Sequence, residues 1–334
     1  MKTQHAKSVC CGARIARFGA RRRQCRACGR TWSIRRKKRG RPPHRVPEAL
    51  VERVLFGQHT LRAHASRCGL TPQGLSYRFR QALRHVVARS RAGPLPTGNL
   101  ILLVDGLWVR FRGRPWVLYL MALKPCQEHH AIFLDPVLCP GREHIRIWRQ
   151  LIEAIPSEVR RRIRGMVTDN LRGMKSLARQ HGWVLQLCHF HLISQLQGRR
   201  GRNKTTLAGR SIREALYQLT RQALELPDGP ALRRTLSRLR LTVERPLLAR
   251  KMQMAVREFL RDLDHYRAYQ MAPHLGLPST TNTVECMGHL IRDLLRRARY
   301  LRSPQSLHTW VTAFIRMRSP LTCNGKHFQQ NFLV

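Results

Sequence analysis

The spacing of apolar positions changes character along the chain, and each change predicts a different kind of element. From Pro47 to Arg89 the period is helical: Val51, Val54 and Leu55 line one face, Leu61 and Ala65 the next, and Leu75, Phe79 and Leu83 a third. Between the last two lies Cys68-Gly-Leu-Thr-Pro-Gln, where Gly69 suits a turn, Thr71 an N-cap and Pro72 the first helical position. From Leu100 the pattern becomes one of strands. Leu100-Ile-Leu-Leu-Val is an aliphatic run cut off by Asp105-Gly106, as in a buried central strand that ends where a site begins. Trp108-Val-Arg-Phe and, after Gly113-Arg-Pro, Trp116-Val-Leu-Tyr-Leu-Met-Ala-Leu read as a hairpin, and Ala131-Ile-Phe-Leu as a third strand. Ile147, Leu151 and Ile155 mark an amphipathic helix. Gly165-Met-Val-Thr-Asp169-Asn repeats the opening theme, a short apolar strand ending in an acid. A helix near Met174 to His181 leads to Trp183-Val-Leu-Gln-Leu, which ends in Cys188-His-Phe-His191. Beyond it the pattern is all helical, through Ile212, Leu216 and Leu219, then Leu232, Leu236 and Leu239, then Met252 to Leu263, with breaks at Pro227, Pro230 and Pro246. Ser279-Thr-Thr-Asn282-Thr-Val-Glu285 opens a last long helix.

Three antiparallel strands followed by helix, strand, helix, strand is the order of a ribonuclease H-like α/β fold. In that topology the ends of the first and fourth strands are neighbours, which puts Asp105 and Asp169 beside one site. Asn282 and Glu285 are three apart and share a helix face, with Glu285 pointing back toward the sheet. The arginines Arg292, Arg296, Arg297 and Arg299 follow on the same helix, placed to run along a nucleic-acid backbone. Glu258, Asp262 and Asp264 alternate with arginines at helical spacing, the pattern of a salt-bridged surface.

Composition sharpens this picture. The chain has 334 residues, 43% of them hydrophobic, enough for two or three domains with a full core and unlike a short, apolar-poor ribosomal component. Lys and Arg number 63 against 18 acids, a formal net charge of +45 that predicts a polyanion partner and salt-dependent binding. Acids are so scarce that one at the end of an apolar strand is poor surface decoration. A cluster of them in such a positive field would hold a divalent metal where nucleic acid arrives. No uninterrupted apolar stretch reaches a membrane span and no apolar signal region follows the N-terminus, so the expectation is a cytoplasmic, nucleoid-associated protein with no membrane partner.

The N-terminal region adds its own chemistry. Cys10-Cys11-Gly12 and Cys25-Arg-Ala-Cys28-Gly29 form two glycine-closed knuckles, the arrangement of a zinc ribbon that Trp32 would cover. If Gly12 corresponds to Gly29, Cys11 corresponds to Cys28 and Ser8 stands where a cysteine belongs. The fourth ligand is then Cys10 or His5, unless the site is a metal-free remnant. Arg39-Gly-Arg41-Pro in a basic, proline-ended linker is similar to an AT-hook that lays arginines in a minor groove; a flexible phosphate-binding tether is the plainer reading. The three helices after it read as a helix-turn-helix whose third helix presents Gln73, Ser76, Tyr77 and Arg80 to the major groove. The expected domains are 1–34 zinc ribbon, 35–46 linker, 47–92 helix-turn-helix, 99–191 with 279–318 catalytic, and 192–278 helical insertion. Cys68, Cys126, Cys139, Cys286 and Cys323 read as single thiols of a reducing compartment.

From Asp105 to about Met317 the chain resembles the catalytic domain of DDE transposases of bacterial insertion sequences, in the Mutator-like group with a helical insertion before the last acid. Asp105 in Val-Asp-Gly, Asp169 in Thr-Asp-Asn, Cys188 and His191 as Cys-x-x-His, and Glu285 in Ser-Thr-Thr-Asn-Thr-Val-Glu carry the likeness, with Arg292, Arg296 and Ser303 to Leu307 fitting the closing pattern. The resemblance implies that Asp105, Asp169 and Glu285 are catalytic and hold two Mg2+ or Mn2+ ions. It implies that Cys188, His191 and Asn282 support them, with a second zinc at Cys188 and His191 as the alternative. It further implies strand cleavage at a transposon end, transfer of the freed 3′-hydroxyl to target double-stranded DNA, and a homodimer or higher homo-oligomer on DNA. A DNA-binding transcriptional regulator and a nuclease of the same fold without strand transfer are the competing readings. Asp135 also ends an apolar strand but is followed at once by Pro136, as in a turn, and the third strand of this fold is an edge away from the site.

Overall fold

The computed structural model describes residues 8, 10–19, 22–33, 46–67, 70–89, 97–111, 113–200, 207–245, 250–298, 303–318 and 321–322. His5, Arg39, Arg41, Cys68, Gly69, Pro246, Arg299 and Cys323 lie outside the described residues. The chain divides into two compact units, Met1–Val46 and Pro47–Val334.

In the first unit β1 (Ile15–Phe18), β2 (Arg22–Cys25) and β3 (Thr31–Ser33) form an antiparallel meander. Its two cysteine-bearing turns share one hydrogen-bond pattern. Gly12 N–H donates to Ser8 O and Gly29 N–H to Cys25 O, each at 2.9 Å. Both glycines have positive φ, +62° and +71°, a conformation that side chains with a Cβ rarely adopt.

The second unit begins with α1 (Glu48–Leu55), α2 (Leu61–Arg67) and α3 (Pro72–Arg89). Val51, Leu55, Leu61, Ala65, Leu75, Phe79 and Leu83 are all buried, as their spacing predicts. Thr71 caps α3 by accepting from Gly74 N–H at 3.1 Å, and Thr60 does the same for α2 from Ala63 N–H at 3.2 Å.

The sheet contains β4 (Leu100–Phe111), β5 (Arg114–Pro125), β6 (His130–Phe133), β7 (Val137–Pro140), β8 (Ile163–Thr168) and β9 (Val184–Leu187), in the order β6-β5-β4-β8-β9 with β7 also paired to β5. β5 is antiparallel to β4, β6 and β7, while β8 is parallel to β4 and to β9. The sheet departs from the sequence pattern at two points. β4 does not stop at Asp105-Gly106 but runs on to Phe111, because β5 pairs with it over its whole length. What ends is the parallel neighbour: pairing with β8 reaches only Leu103 and Val167, so Asp105 sits where the sheet opens on one side. The third strand is also not a simple edge. Phe133 faces Ala122 and Val137 faces Tyr119, so Leu134, Asp135 and Pro136 stand opposite only Met121 and Leu120. That is a bulge, and Pro136, which has no N–H to pair, belongs in one.

Helices α4 (Ile145–Glu153), α5 (Ser157–Arg160), α6 (Met174–Gln180) and α7 (His189–Arg200) join these strands and lead out of the sheet. α4 buries Trp148 and Ile152 completely, whereas Ile147 and Leu151 pack only partly against the core. α8 (Leu207–Glu225), α9 (Pro230–Val243), α10 (Arg250–Arg261), α11 (Leu263–Tyr266) and α12 (Ala268–Met271) follow. One apolar core runs from Val104 and Tyr119 in the sheet through Trp148 and Leu192 to Leu216, Leu239 and Phe259 in these helices. The all-helical segment therefore shares the core of the sheet. Asp262, expected on a salt-bridged surface, is 7% exposed and ion-paired to Lys175 of α6 and Arg261.

The last helices are α13 (Asn282–Arg297) and α14 (Pro304–Arg318), and β10 (Leu321–Thr322) adds to β6 to complete a mixed seven-stranded sheet. The three N-terminal helices are fused to this end of the sheet layer. Phe79 lies 5.0 Å from Trp310, Arg297 donates to Leu55 O at 3.4 Å and Arg316 donates to Val87 O. Among the described residues, no helix is long and apolar enough to cross a membrane.

Candidate functional site

Side chains from four separate segments meet where β4 outruns β8. Asp105 stands on β4. Asp169 follows β8 directly, and its Oδ1 accepts from Leu171 N–H at 3.2 Å, a turn that fixes the carboxylate. Glu285 lies in the first turn of α13, where its Oε1 accepts from Thr281 Oγ1 at 2.6 Å and from Cys188 Sγ at 3.3 Å. Cys188 in turn accepts from Thr281 N–H at 3.3 Å, and its own N–H donates to Thr168 O at 2.8 Å. The cysteine thus ties the end of β8 to the start of α13. His191, in the first turn of α7, stands between the acids, with Nε2 3.8 Å from Asp105 Oδ1 and Nδ1 3.5 Å from Glu285 Oε1. Its Nδ1 is buried and has no hydrogen-bond partner.

A fourth carboxylate joins them that the sequence did not reveal. Glu143 precedes α4, and its Oε1 accepts from the indole N–H of the fully buried Trp148 at 2.8 Å. A Cβ on Gly106 would come within 2.5 Å of the Glu143 carboxyl carbon, so the acid lies directly over the glycine beside Asp105. An acid just before an amphipathic helix reads as an ordinary helix-start residue. Only the scarcity of acids in the chain could have singled it out.

Burial of these carboxylates together disfavours their charged forms. Burial, aided by the nearby Asp169 and Glu285 charges and opposed by His191, pushes Asp105 up to about 6. Burial and the Asp169 charge push Glu143 up to about 7 against the Trp148 hydrogen bond. Folded-state values above those of the unfolded chain mean that these groups favour folding at low pH and lose that contribution as pH rises through about 6 to 7. The large positive charge acts in the opposite sense, since protonating acids raises self-repulsion. Comparison with Glu143→Gln separates the two: without added divalent cation, the stability of this variant relative to the parent is expected to rise between about pH 5 and 8, followed by urea midpoints. A difference that stays constant with pH contradicts the buried-acid account.

Asp105, Asp169, Glu285 and Glu143 offer carboxylate oxygens, the donor type that hard cations take. Cys188, His191 and Glu285 also have ligand atoms within 4.8 Å of one another. Burial first, and then the Glu285 charge, push the Cys188 thiol up to about 12 in the metal-free site.

The other expected residues are distributed as follows. Gln73, Tyr77 and Arg80 are exposed on α3 and Ser76 is half-buried. Arg292 and Arg296 are exposed on α13, the latter ion-paired with Asp293, and Asn282 is exposed at the start of that helix. Asp135 lies at the bulge and pairs with Arg316 of α14. In the first unit, Cys10, Cys11, Cys25 and Cys28 form one cluster with their ligand atoms within 4.8 Å, which could hold a metal such as zinc. Ser8 Oγ lies 3.2 Å from Cys25 Sγ, and this contact together with the Cys28 and Ala27 N–H groups draws Cys25 down to about 6. Cys10 occupies the turn position that Ala27 holds in the second knuckle, with its sulfur 3.5 Å from that of Cys28.

No protein-family model matches this sequence, and no curated protein matches it.

Proposed function

We propose that the chain is a DNA transposase of the DDE kind, which binds transposon ends, cuts them and joins them to target DNA. The observation that carries this reading is the convergence of Asp105, Asp169 and Glu285, far apart in sequence, where β4 outruns β8, in a chain of net charge +45. The strand order β6-β5-β4-β8-β9, antiparallel and then parallel, agrees with a ribonuclease H-like catalytic domain. The first unit is read as a zinc ribbon, with Cys10 as fourth ligand.

Asp105, Asp169 and Glu285 would hold two divalent cations, magnesium or manganese, which supply Lewis-acid activation of water and then of the freed 3′-hydroxyl and stabilise the leaving oxygen. Cys188 and Thr281 keep Glu285 aimed at the other acids. His191 stands between Asp105 and Glu285, 3.8 Å from the first and 3.5 Å from the second. Arg292 and the exposed face of α3 bind phosphate and bases, and chemistry on two ends calls for a homodimer on DNA. A cytoplasmic, nucleoid-associated location follows from that partner.

The test uses DNA from the flanks of the gene, supercoiled target DNA and magnesium. Joined products are expected. Cutting without joining would favour a nuclease of the same fold, and binding without cutting would favour a transcriptional regulator. Within this reading Arg80→Ala is expected to reduce discrimination between end DNA and random DNA by about 1–3 kcal/mol if Arg80 touches a base, and to weaken both equally if it touches phosphate. Unchanged affinity for both, measured by fluorescence anisotropy, removes α3 from the interface.

A further inference from the structure

We infer that Glu143 is a fourth carboxylate ligand of the cation site, held in place by Trp148 and admitted by Gly106. This rests on the reading of the acid cluster as a cation site and deepens it. Three observations carry it. The carboxyl group lies over Gly106, at a point where any Cβ would collide with it. One oxygen, Oε1, is fixed by the indole N–H of Trp148, a side chain with no solvent exposure that also packs edge-on against Tyr119, 4.8 Å between ring centroids. The second oxygen, Oε2, has no hydrogen-bond donor among the described residues, so it is available to a ligand. Asp135, Asp228, Glu244 and Asp262 are each salt-bridged to an arginine. Glu143 has none and faces other acids instead.

Charge balance supports the same assignment. Two divalent cations carry +4, and Asp105, Asp169 and Glu285 supply −3; Glu143 brings the site to neutrality. An acid placed among acids by a rigid buried donor is unfavourable in the empty site and favourable once cations are bound, which is the arrangement of a ligand rather than of a structural group.

Terbium luminescence sensitised by tryptophan tests this on the full chain without DNA, with Mn2+ as competitor. Glu143→Gln keeps the shape and removes the charge, and is expected to weaken the tightest site by about a hundredfold; Trp148→Phe, which leaves the acid but removes its donor, by about tenfold as read from Mn2+ binding by free-ion electron spin resonance. Asp135→Asn, outside the site, keeps the parent's affinity. If Asp105→Asn weakens binding and Glu143→Gln does not, Glu143 is no ligand and the rest of the site stands. If Asp105→Asn binds as the parent does, the cation-site reading itself falls. Thermal melting of each variant confirms that the fold persists; should Glu143→Gln unfold, Glu143→Asp, which keeps the charge but shortens the reach, gives the same comparison.

Discussion

Asp105→Asn, Asp169→Asn and Glu285→Gln are each expected to abolish the proposed magnesium-dependent cleavage of end DNA while leaving end binding nearly intact, and Asp135→Asn is expected to keep most activity. The size of the effect follows from the role. Removing one of the oxygens that would hold the activating cations loses several kcal/mol of transition-state stabilisation, so rates fall by roughly three or more orders of magnitude. Misfolding is not expected to account for such a loss. Asp105 is an acid that burial already pushes up to about 6, so a neutral isostere relieves a buried charge and the variant should melt no lower than the parent. Asp135 serves as the internal control because its carboxylate is committed to Arg316 on the far side of the β6–β7 bulge. A triad variant that nicks end DNA near the parent's rate sinks the assignment, and an Asp135→Asn variant as inactive as the others sinks the distinction between them. The assay reads nicked strands on a denaturing gel against a binding isotherm for the same DNA.

The residues that sequence made legible are those with a local signal. Apolar spacing foretold the buried faces of α1 to α3, and Thr71-Pro72 foretold the cap of α3, because capping and amphipathic periodicity act within one or two turns. Asp105 and Asp169 stood out since each follows an aliphatic run. The strand pattern misplaced the end of β4: in an antiparallel ladder Asp105 and Gly106 are as well paired as their neighbours, and what ends at the site is the parallel strand next door. Long-range relations left no local trace. Nothing near Glu143 announces Trp148 as its donor or Gly106 as the floor beneath it, and nothing near Cys188 announces Thr281, which lies 93 residues away. Asp262 misled for the same reason, as its lysine comes from α6 rather than from its own helix. A site built from five segments is visible from sequence only through the members that also shape their own strand or turn.

The first unit should bind one zinc per chain, and its fold should depend on that ion. Among its described residues only Ser8 and Cys25 are buried, so these residues offer no apolar core to stabilise three short strands. Four sulfurs lie close enough to share a tetrahedral ion: with Zn–S bonds near 2.3 Å adjacent sulfurs sit about 3.8 Å apart, against 3.5 Å between Cys10 and Cys28. The matching hydrogen bonds at Ser8–Gly12 and Cys25–Gly29 put Ser8 where the first cysteine of its knuckle would stand, with its hydroxyl engaged with Cys25. Cys10, in the middle of the turn, supplies the fourth sulfur of the cluster. Structural zinc contributes about 10–16 kcal/mol of apparent binding energy in peptides of this size, more than a coreless meander could supply by packing. Cys25→Ser and Cys28→Ser are therefore expected to lose the ion and leave residues 1–46 open to protease, with Cys10→Ser doing the same to a lesser degree, while residues 47–334 keep their melting transition. Zinc is counted by elemental mass spectrometry on freshly purified, reduced protein, and the opening of the first unit is followed by limited proteolysis before and after chelation. Less than half an equivalent of zinc, or a first unit that resists protease equally well once chelated, would remove the metal from this part of the molecule.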